Sequence, residues 1–169
     1  MTAPEIYIKA LAAPGRKAER EAVDELIAEA FGPDTELYHR PDGSPAVDIE
    51  GVEISISHCR TCAVLAVADR PVGVDVETDR AQLQRVADRV MSAEEVGYYS
   101  DSLVKAWTLK EALYKAALTP GLDFRRDIRL PLTPDADAIV MTPAERRFAI
   151  VRSGWLPEHN AFLSLVVGL

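Results

Sequence analysis

The protein is a chain of 169 residues, long enough to bury a substantial core as one domain. Its formal net charge of −8 at pH 7 argues against nucleic acid as a partner, because phosphate groups are bound by basic surfaces. No apolar run reaches membrane-spanning length and the first residues are not typical of a secretory signal, so we expect a cytoplasmic protein that does not bind membranes.

The first part of the chain alternates between strand-like and helix-like patterns. Alternation predicts a strand at residues 5–11, and apolar residues at helical spacing predict a helix at residues 16–31 that Gly32 and Pro33 end. A turn rich in proline and glycine follows at residues 41–45. Three further strands are predicted at residues 52–58, 63–68 and 72–77.

The second part of the chain is predicted to contain three helices and several short strands. One helix follows Asp79, another begins at the capping-box sequence from Ser92 to Glu95, and the third spans residues 104–117 and ends before Pro120. The strands are predicted near residues 126–132, 138–142, 148–153 and 161–167.

This order of elements indicates an α+β fold. We interpret residues 1–169 as a single domain made of two similar halves, approximately residues 1–78 and residues 79–169. The halves would each combine helices with strands.

The predicted strand at residues 72–77 places valines on one face and two carboxylates, Asp75 and Glu77, on the other. Two such positions lie roughly 6.6 Å apart along a strand, so the carboxylates could share one hard divalent cation. They could equally form the solvated face of an edge strand. Gly73, on the same face, either leaves room for a ligand or marks a bulge.

The predicted helix at residues 104–117 carries charged and aromatic side chains on adjoining rows of one side. These are Trp107, Lys110, Glu111, Tyr114 and Lys115. Together with the strand they supply three carboxylates and two ammonium groups, a set suited to Mg²⁺ and a pyrophosphate. The alternative is that Glu111 and Lys115, spaced i and i+4, form a surface ion pair, and that Trp107 anchors the helix in the core.

The cysteines of the chain are Cys59 and Cys62, in the sequence Cys-Arg-Thr-Cys. Such a pair could be a redox dithiol or half of a zinc site, or two small, partly buried thiols. It lies between two predicted strands rather than at a helix N-terminus, where a thiolate would be stabilised, so the structural interpretation is favoured.

Four motifs follow one another along the chain: Gly43-Ser44-Pro45, Ser57-His58, the strand segment Gly-Val-Asp-Val-Glu, and the helix segment Trp-x-x-Lys-Glu-Ala-x-x-Lys. Their order resembles the 4′-phosphopantetheinyl transferase superfamily over about residues 42–121. The length and the layout in two halves resemble the monomeric Sfp-type branch, which implies two α/β halves packed with pseudo-twofold symmetry.

The resemblance implies a Mg²⁺-dependent enzyme that uses coenzyme A. Asp75, Glu77 and Glu111 would hold Mg²⁺ on the pyrophosphate of coenzyme A. Glu111 would also be the general base, and Lys115 would stabilise the charge that develops as 3′,5′-ADP leaves. The arm would be transferred to a serine of an apo acyl or peptidyl carrier protein.

The resemblance also assigns the nucleotide end of the site. Ser57 and His58 would hold the 3′-phosphate, and Gly43, Ser44 and Pro45 would line the adenine pocket. Arg20 and Lys110 are further candidates for binding coenzyme A. The chain departs from the family pattern at Ser44, where lysine is frequent, at Cys59, where serine or threonine is frequent, and in its short N-terminal part.

Two other functions remain open at this stage. A catalytically weak relative would bind a nucleotide or a carrier domain without transferring the arm. A Mg²⁺-dependent pyrophosphate hydrolase would use the same acidic cluster. For the carrier protein itself, Arg80, Arg85 and Arg89 could offer a basic patch, although an ordinary amphipathic helix explains them as well.

Overall fold

A computed structural model describes residues 1–78 and 82–169 of the chain. The helices are α1 (Arg16–Phe31), α2 (Leu83–Val90), α3 (Ala93–Tyr98) and α4 (Leu103–Ala117), with a 3₁₀ turn at Pro157–His159. The strands are β1 (Glu5–Ala10), β2 (Leu37–His39), β3 (Pro45–Val47), β4 (Glu53–His58), β5 (Cys62–Ala68), β6 (Val72–Glu77), β7 (Ile128–Arg129), β8 (Ala138–Val140), β9 (Arg146–Leu156) and β10 (Ala161–Gly168).

The strands form antiparallel sheets, and the fold is α+β as predicted. One sheet has the order β1-β5-β4, a larger one has the order β6-β10-β9-β8-β7, and β2 pairs with β3. Strands β2 and β3 were not predicted, because three-residue strands are too short to show an alternating pattern.

The elements pack in layers around three apolar clusters. Helix α1 covers one face of the sheet β1-β5-β4, and the other face of that sheet packs against strands β6 and β10. Helix α4 covers the opposite face of β6 and β10. Within the described part of the chain, no helix combines the length and the hydropathy needed to cross a membrane.

Strand β6 alternates as its sequence predicts. Val72, Val74 and Val76 are buried in the apolar layer between the two sheets, while Asp75 and Glu77 lie on the other face. By its hydrogen bonds β6 belongs to the sheet of the second half, since it pairs with β10. A boundary at residue 78 would therefore separate β6 in sequence from the sheet that it joins, and the pseudo-twofold relation of the halves stays a prediction.

Serine side chains connect strand β4 to strand β6. The Ser55 hydroxyl accepts a hydrogen bond from the Val74 amide at 3.0 Å, and the Ser57 hydroxyl accepts one from the Val76 amide at 3.1 Å. These two side chains satisfy buried amide groups of β6 on the side away from β10. The edges of the two main sheets meet at this line of serines.

Gly73 fixes the distance between strand β6 and helix α4. A Cβ atom at this position would lie 1.8 Å from the carbonyl oxygen of Ala112 and 2.9 Å from the amide nitrogen of Ala116. The space beside Gly73 is therefore filled by the backbone of α4. The expectation that this glycine leaves room for a ligand is wrong.

Candidate active site

A cavity of about 670 Å³ opens between helix α1, the turn at residues 41–45, strand β4 and the C-terminal end of α4. This is a typical volume for a small-molecule site. The residues predicted from the sequence that line it are Arg20, Gly43, Ser44, Pro45, His58 and Lys115. Residues from four separate parts of the chain thus meet around one space.

Lys115 joins this cavity to the carboxylates of strand β6. Its ammonium nitrogen donates hydrogen bonds to the carbonyl oxygen of Val74 at 3.0 Å and to Oδ1 of Asp75 at 2.9 Å. The ammonium group is partly exposed and the Asp75 side chain is nearly buried. Glu111 and Lys115 are therefore not simply a surface ion pair, because Lys115 binds a carboxylate on another element.

Asp75 is held by two donors where strands β4 and β6 meet. Oδ1 of Asp75 accepts a hydrogen bond from the Ser57 hydroxyl at 2.9 Å in addition to the one from Lys115. Asp75 is only 7% exposed. A nearly buried carboxylate with two donors on one oxygen has a fixed position.

Glu111 stands close to both carboxylates of β6. Burial and the negative charges of Asp75 and Glu77 together raise the pKa of Glu111 to about 7, against the opposing positive charge of Lys115. The largest cause is desolvation, which penalises the ionised form, and the next is repulsion between like charges. The structure therefore brings the three predicted metal-binding carboxylates within reach of one another's charge.

The donor set of these carboxylates fits Mg²⁺. Within residues 1–78 and 82–169, no three His, Cys, Asp or Glu side chains stand together in a ready metal cluster. However, three carboxylates supply the hard oxygen ligands that Mg²⁺ prefers, and mutual repulsion of the carboxylates is the strain that a divalent cation relieves. The charges, rather than a preformed cage, are the observation that favours a cation here.

The turn at residues 41–45 is shaped by Asp42. Oδ1 of Asp42 accepts hydrogen bonds from the Ser44 amide at 2.9 Å and from the Ser44 hydroxyl at 2.6 Å. Gly43 adopts a φ of 86°, a backbone conformation that residues with a side chain rarely adopt. The hydrogen bond from the Ser44 hydroxyl, followed by that from the Ser44 amide, lowers the pKa of Asp42. The predicted adenine-pocket residues thus form an ordered edge of the cavity.

The opposite edge of the cavity carries charges of both signs. Arg16, Glu19 and Arg20 of helix α1 line it, together with His58 from the end of β4. Nδ1 of His58 lies 3.6 Å from Oε2 of Glu19. The arginines suit a phosphate, and Glu19 fixes the position of the His58 ring.

Two predicted coenzyme-binding residues are not placed in this cavity. Lys110 is fully buried on the other side of α4, where its ammonium group donates hydrogen bonds to Glu95 and to the carbonyl oxygens of Phe124 and Ile128. Ser57 uses its hydroxyl at the junction with β6. In this geometry both side chains have structural partners, and Lys110 does not reach the site.

Sequence reasoning also missed part of the cavity wall. Tyr114, Leu118, Thr119 and Pro120 line it at the end of α4, and His39 lines it from β2. The stop signal at Pro120 marks the end of the helix but not what the helix end faces. His39 lies on a strand that the sequence pattern does not show.

Comparison with known proteins found a matching family and a similar curated protein. A sequence model described as the 4′-phosphopantetheinyl transferase superfamily matches residues 71–160, just over half of the chain. The chain is also 28% identical over 137 residues to enterobactin synthase component D of Salmonella typhimurium, an alignment that covers 69% of this chain and 56% of that protein. The chain thus spans little more than half the length of this curated relative. From the family match, the chain belongs to the 4′-phosphopantetheinyl transferase superfamily.

Proposed function

We propose that the protein transfers the 4′-phosphopantetheine arm from coenzyme A to a serine of an apo acyl or peptidyl carrier protein, giving the holo carrier and 3′,5′-ADP. The observation that carries this proposal is the position of Lys115, which lines the large cavity and contacts Asp75. A ligand whose nucleotide fills the cavity would place its pyrophosphate beside the acidic cluster. Membership of the superfamily supports the same reaction.

The cavity would hold the nucleotide of coenzyme A. Gly43, Ser44 and Pro45 would contact the adenine ring, since this turn is ordered by Asp42. Arg20 and His58 would hold the 3′-phosphate from the opposite edge. Ser57 would contribute by holding Asp75 and the end of β4 in place.

Asp75, Glu77 and Glu111 would hold Mg²⁺. When bound, Mg²⁺ would neutralise charge on the pyrophosphate, which is the main demand of phosphoryl-type transfer. Lys115 would share that task from the cavity side, because its ammonium group already lies beside Asp75.

The chain's own residues would then move one proton and one group. Glu111 would accept the proton of the carrier's serine hydroxyl, a weak nucleophile that needs a nearby base. The serine oxygen would form a bond to the phosphorus that carries the pantetheine arm. The bond from that phosphorus to the bridging oxygen would break, and Lys115 would stabilise the negative charge left on 3′,5′-ADP.

The carrier protein would approach over α2 as well as over the site. Arg85 and Arg89 are exposed on this helix, whereas Leu83 and Ala87 are buried against the core. Arg85 and Arg89 thus give α2 a basic surface, and Arg80, the third arginine of the predicted patch, lies outside the described residues. Exposed arginines favour an acidic partner. We propose a monomeric, cytoplasmic enzyme, and the similarity to a component of enterobactin synthase supports a biosynthetic carrier as the acceptor.

Intact mass measurement tests the transfer. The protein is incubated with coenzyme A, Mg²⁺ and a panel of apo carrier proteins from fatty acid, polyketide and peptide synthesis. We expect at least one carrier to gain the mass of one phosphopantetheine arm, and this gain to be lost in the presence of a chelator. Glu111→Gln should abolish it, because the base and one metal ligand are removed together.

The control is Glu94→Gln, which changes an exposed glutamate at the start of α3 and should leave transfer unchanged. If the folded protein modifies no carrier but binds 3′,5′-ADP, it is a relative that binds without transfer. Release of 3′,5′-ADP in the absence of any carrier would instead indicate a pyrophosphate hydrolase.

A further inference from the structure

The two cysteines face each other across the turn between β4 and β5. Cys59 follows the last residue of β4, Cys62 begins β5, and Arg60 and Thr61 form the turn. The Cys59 amide donates a hydrogen bond to the Cys62 carbonyl oxygen at 2.9 Å. The two sulfur atoms lie 3.7 Å apart, already in hydrogen-bond contact.

The surroundings of the pair make the two thiols unequal. Hydrogen bonds with Cys62 and with Thr61, whose Oγ1 is 3.4 Å from the Cys59 sulfur, together lower the pKa of Cys59 to about 5 against the opposing effect of burial. The hydrogen bond to Cys59 and burial raise the pKa of Cys62. Cys59 is thus the more acidic of the two thiols, and a thiolate is the reactive form of cysteine.

The same surroundings argue against a metal as the partner of this pair. A zinc site needs three or four protein ligands, and among the residues described no third His, Cys, Asp or Glu completes a set with the two cysteines. The pair is also off the cavity wall, which His58 reaches but Cys59 does not. Its chemistry is therefore that of two thiols with each other.

We propose that Cys59 and Cys62 form a reversible disulfide when the folded protein meets a small peroxide. The Cys59 thiolate attacks one oxygen of hydrogen peroxide, the O–O bond breaks, and a sulfenic acid and hydroxide result, the hydroxide taking up a proton to give water. The Cys62 sulfur then attacks the sulfenic sulfur, its proton leaves with the departing hydroxide as a second water, and the S–S bond forms. Two thiols are oxidised and one peroxide is reduced.

Backbone geometry permits this bond. Directly opposed residues that share a hydrogen bond in an antiparallel pair have Cα atoms about 5.5 Å apart, which is within the usual range for a disulfide. The sulfurs must close from 3.7 Å to about 2.05 Å, which side-chain rotation covers. Access favours a small oxidant, since Cys59 is 5% exposed and Cys62 is 0% exposed.

The test counts free thiols after peroxide treatment of the folded, full-length protein. The protein is treated with hydrogen peroxide, unfolded and alkylated, and its intact mass is measured by mass spectrometry. We expect loss of both alkylation sites together with loss of two hydrogen atoms, and full recovery of both sites after dithiothreitol. Oxidation of Met1, Met91 or Met141 would add oxygen and would not be reversed by dithiothreitol, so it is distinguished by mass.

Two matched variants test the roles of the sulfurs, each first shown to be folded by circular dichroism. Cys62→Ser should stop at a sulfenic acid on Cys59, which dimedone traps. Cys59→Ser should react with peroxide at least tenfold more slowly than Cys62→Ser. The proposal would be overturned if both thiols remain fully alkylatable, if the disulfide joins two molecules, or if both variants react at equal rates.

Discussion

At the scale of single residues, the site depends on a glycine, Gly73, which has no side chain. Gly73 lies two positions before Asp75 on the face of β6 that α4 covers. Because no Cβ separates the two backbones, α4 approaches closely enough for Lys115 to reach both Val74 and Asp75. The sequence shows a glycine at position 73, and the close approach of the α4 backbone explains why no larger residue fits there.

Gly73→Ala should destabilise the protein by about 3 kcal/mol, because the new methyl group overlaps the backbone of α4 and backbone cannot move aside as a side chain does. Urea unfolding followed by circular dichroism measures the change in the free energy of unfolding. Gly154→Ala is the control, since a Cβ there meets no atom within 4 Å. A loss in Gly73→Ala no larger than in Gly154→Ala would contradict this account.

Asp42 gives a prediction on pH at the cavity edge. Hydrogen bonds from the Ser44 hydroxyl and amide hold its pKa below the ordinary 3.8, so their stabilising effect on the turn is present above 3.8 and is lost as the pH falls through the lowered pKa. We expect the carboxyl carbon shift of Asp42 in an NMR titration to remain mostly that of the ionised form at pH 3.8. Ser44→Ala should move the midpoint upward, and an unchanged midpoint would argue against the hydrogen bonds as its cause.

At the scale of elements, helix α4 presents Lys110 and Lys115 to opposite sides. Lys115 contacts β6, while Lys110 is fully buried and binds Glu95 of α3 and carbonyl oxygens before and within β7. Glu95 completes the predicted capping box with Ser92 and also accepts a hydrogen bond from the Leu130 amide. One buried ion pair therefore ties α3, α4 and β7 together.

Lys110→Met should cost about 3–5 kcal/mol of stability, because the buried carboxylate of Glu95 and the two carbonyl oxygens lose their donor. The double variant Lys110→Met with Glu95→Gln should be more stable than the single one, since no charge is left unpaired. Thermal and urea unfolding measure both. Lys17→Met, an exposed lysine on α1, is the control and should change little. A small loss of stability in Lys110→Met would show that the ion pair does not hold α3, α4 and β7 together.

At the scale of the whole molecule, the two main sheets meet through side chains. Ser55 and Ser57 accept hydrogen bonds from amides of β6, and Ser57 also binds Asp75. The contact between the two main sheets therefore also positions Asp75.

Ser55→Ala should lower the free energy of unfolding by about 1–3 kcal/mol, because the buried Val74 amide loses its acceptor. The measurement is urea unfolding, with hydrogen exchange of the Val74 amide as a local readout that should become faster. Ser100→Ala, at an exposed serine, serves as the control. Unchanged exchange at Val74 would mean that another group satisfies this amide.

The sequence by itself determined the longer elements and the α+β class. The bounds of α1 match the predicted helix, and the alternation in β6 separates valines from carboxylates as observed. Periodicity is a local property, because the backbone repeats every 3.6 or 2 residues, and this is why it can be read from neighbouring positions. The order of the motifs along the chain, which is also read from the sequence alone, carried the superfamily resemblance.

Only the tertiary structure decided what each of these side chains contacts. Two lysines five positions apart on α4 were given similar roles from their spacing, yet one is enclosed by α3 and β7 and the other contacts Asp75. Likewise Cys59 and Cys62 were most simply two buried thiols, until the turn placed their sulfurs in contact. Partners distant in sequence are chosen by packing and by the desolvation of charge, and neither is visible in the spacing of a single segment.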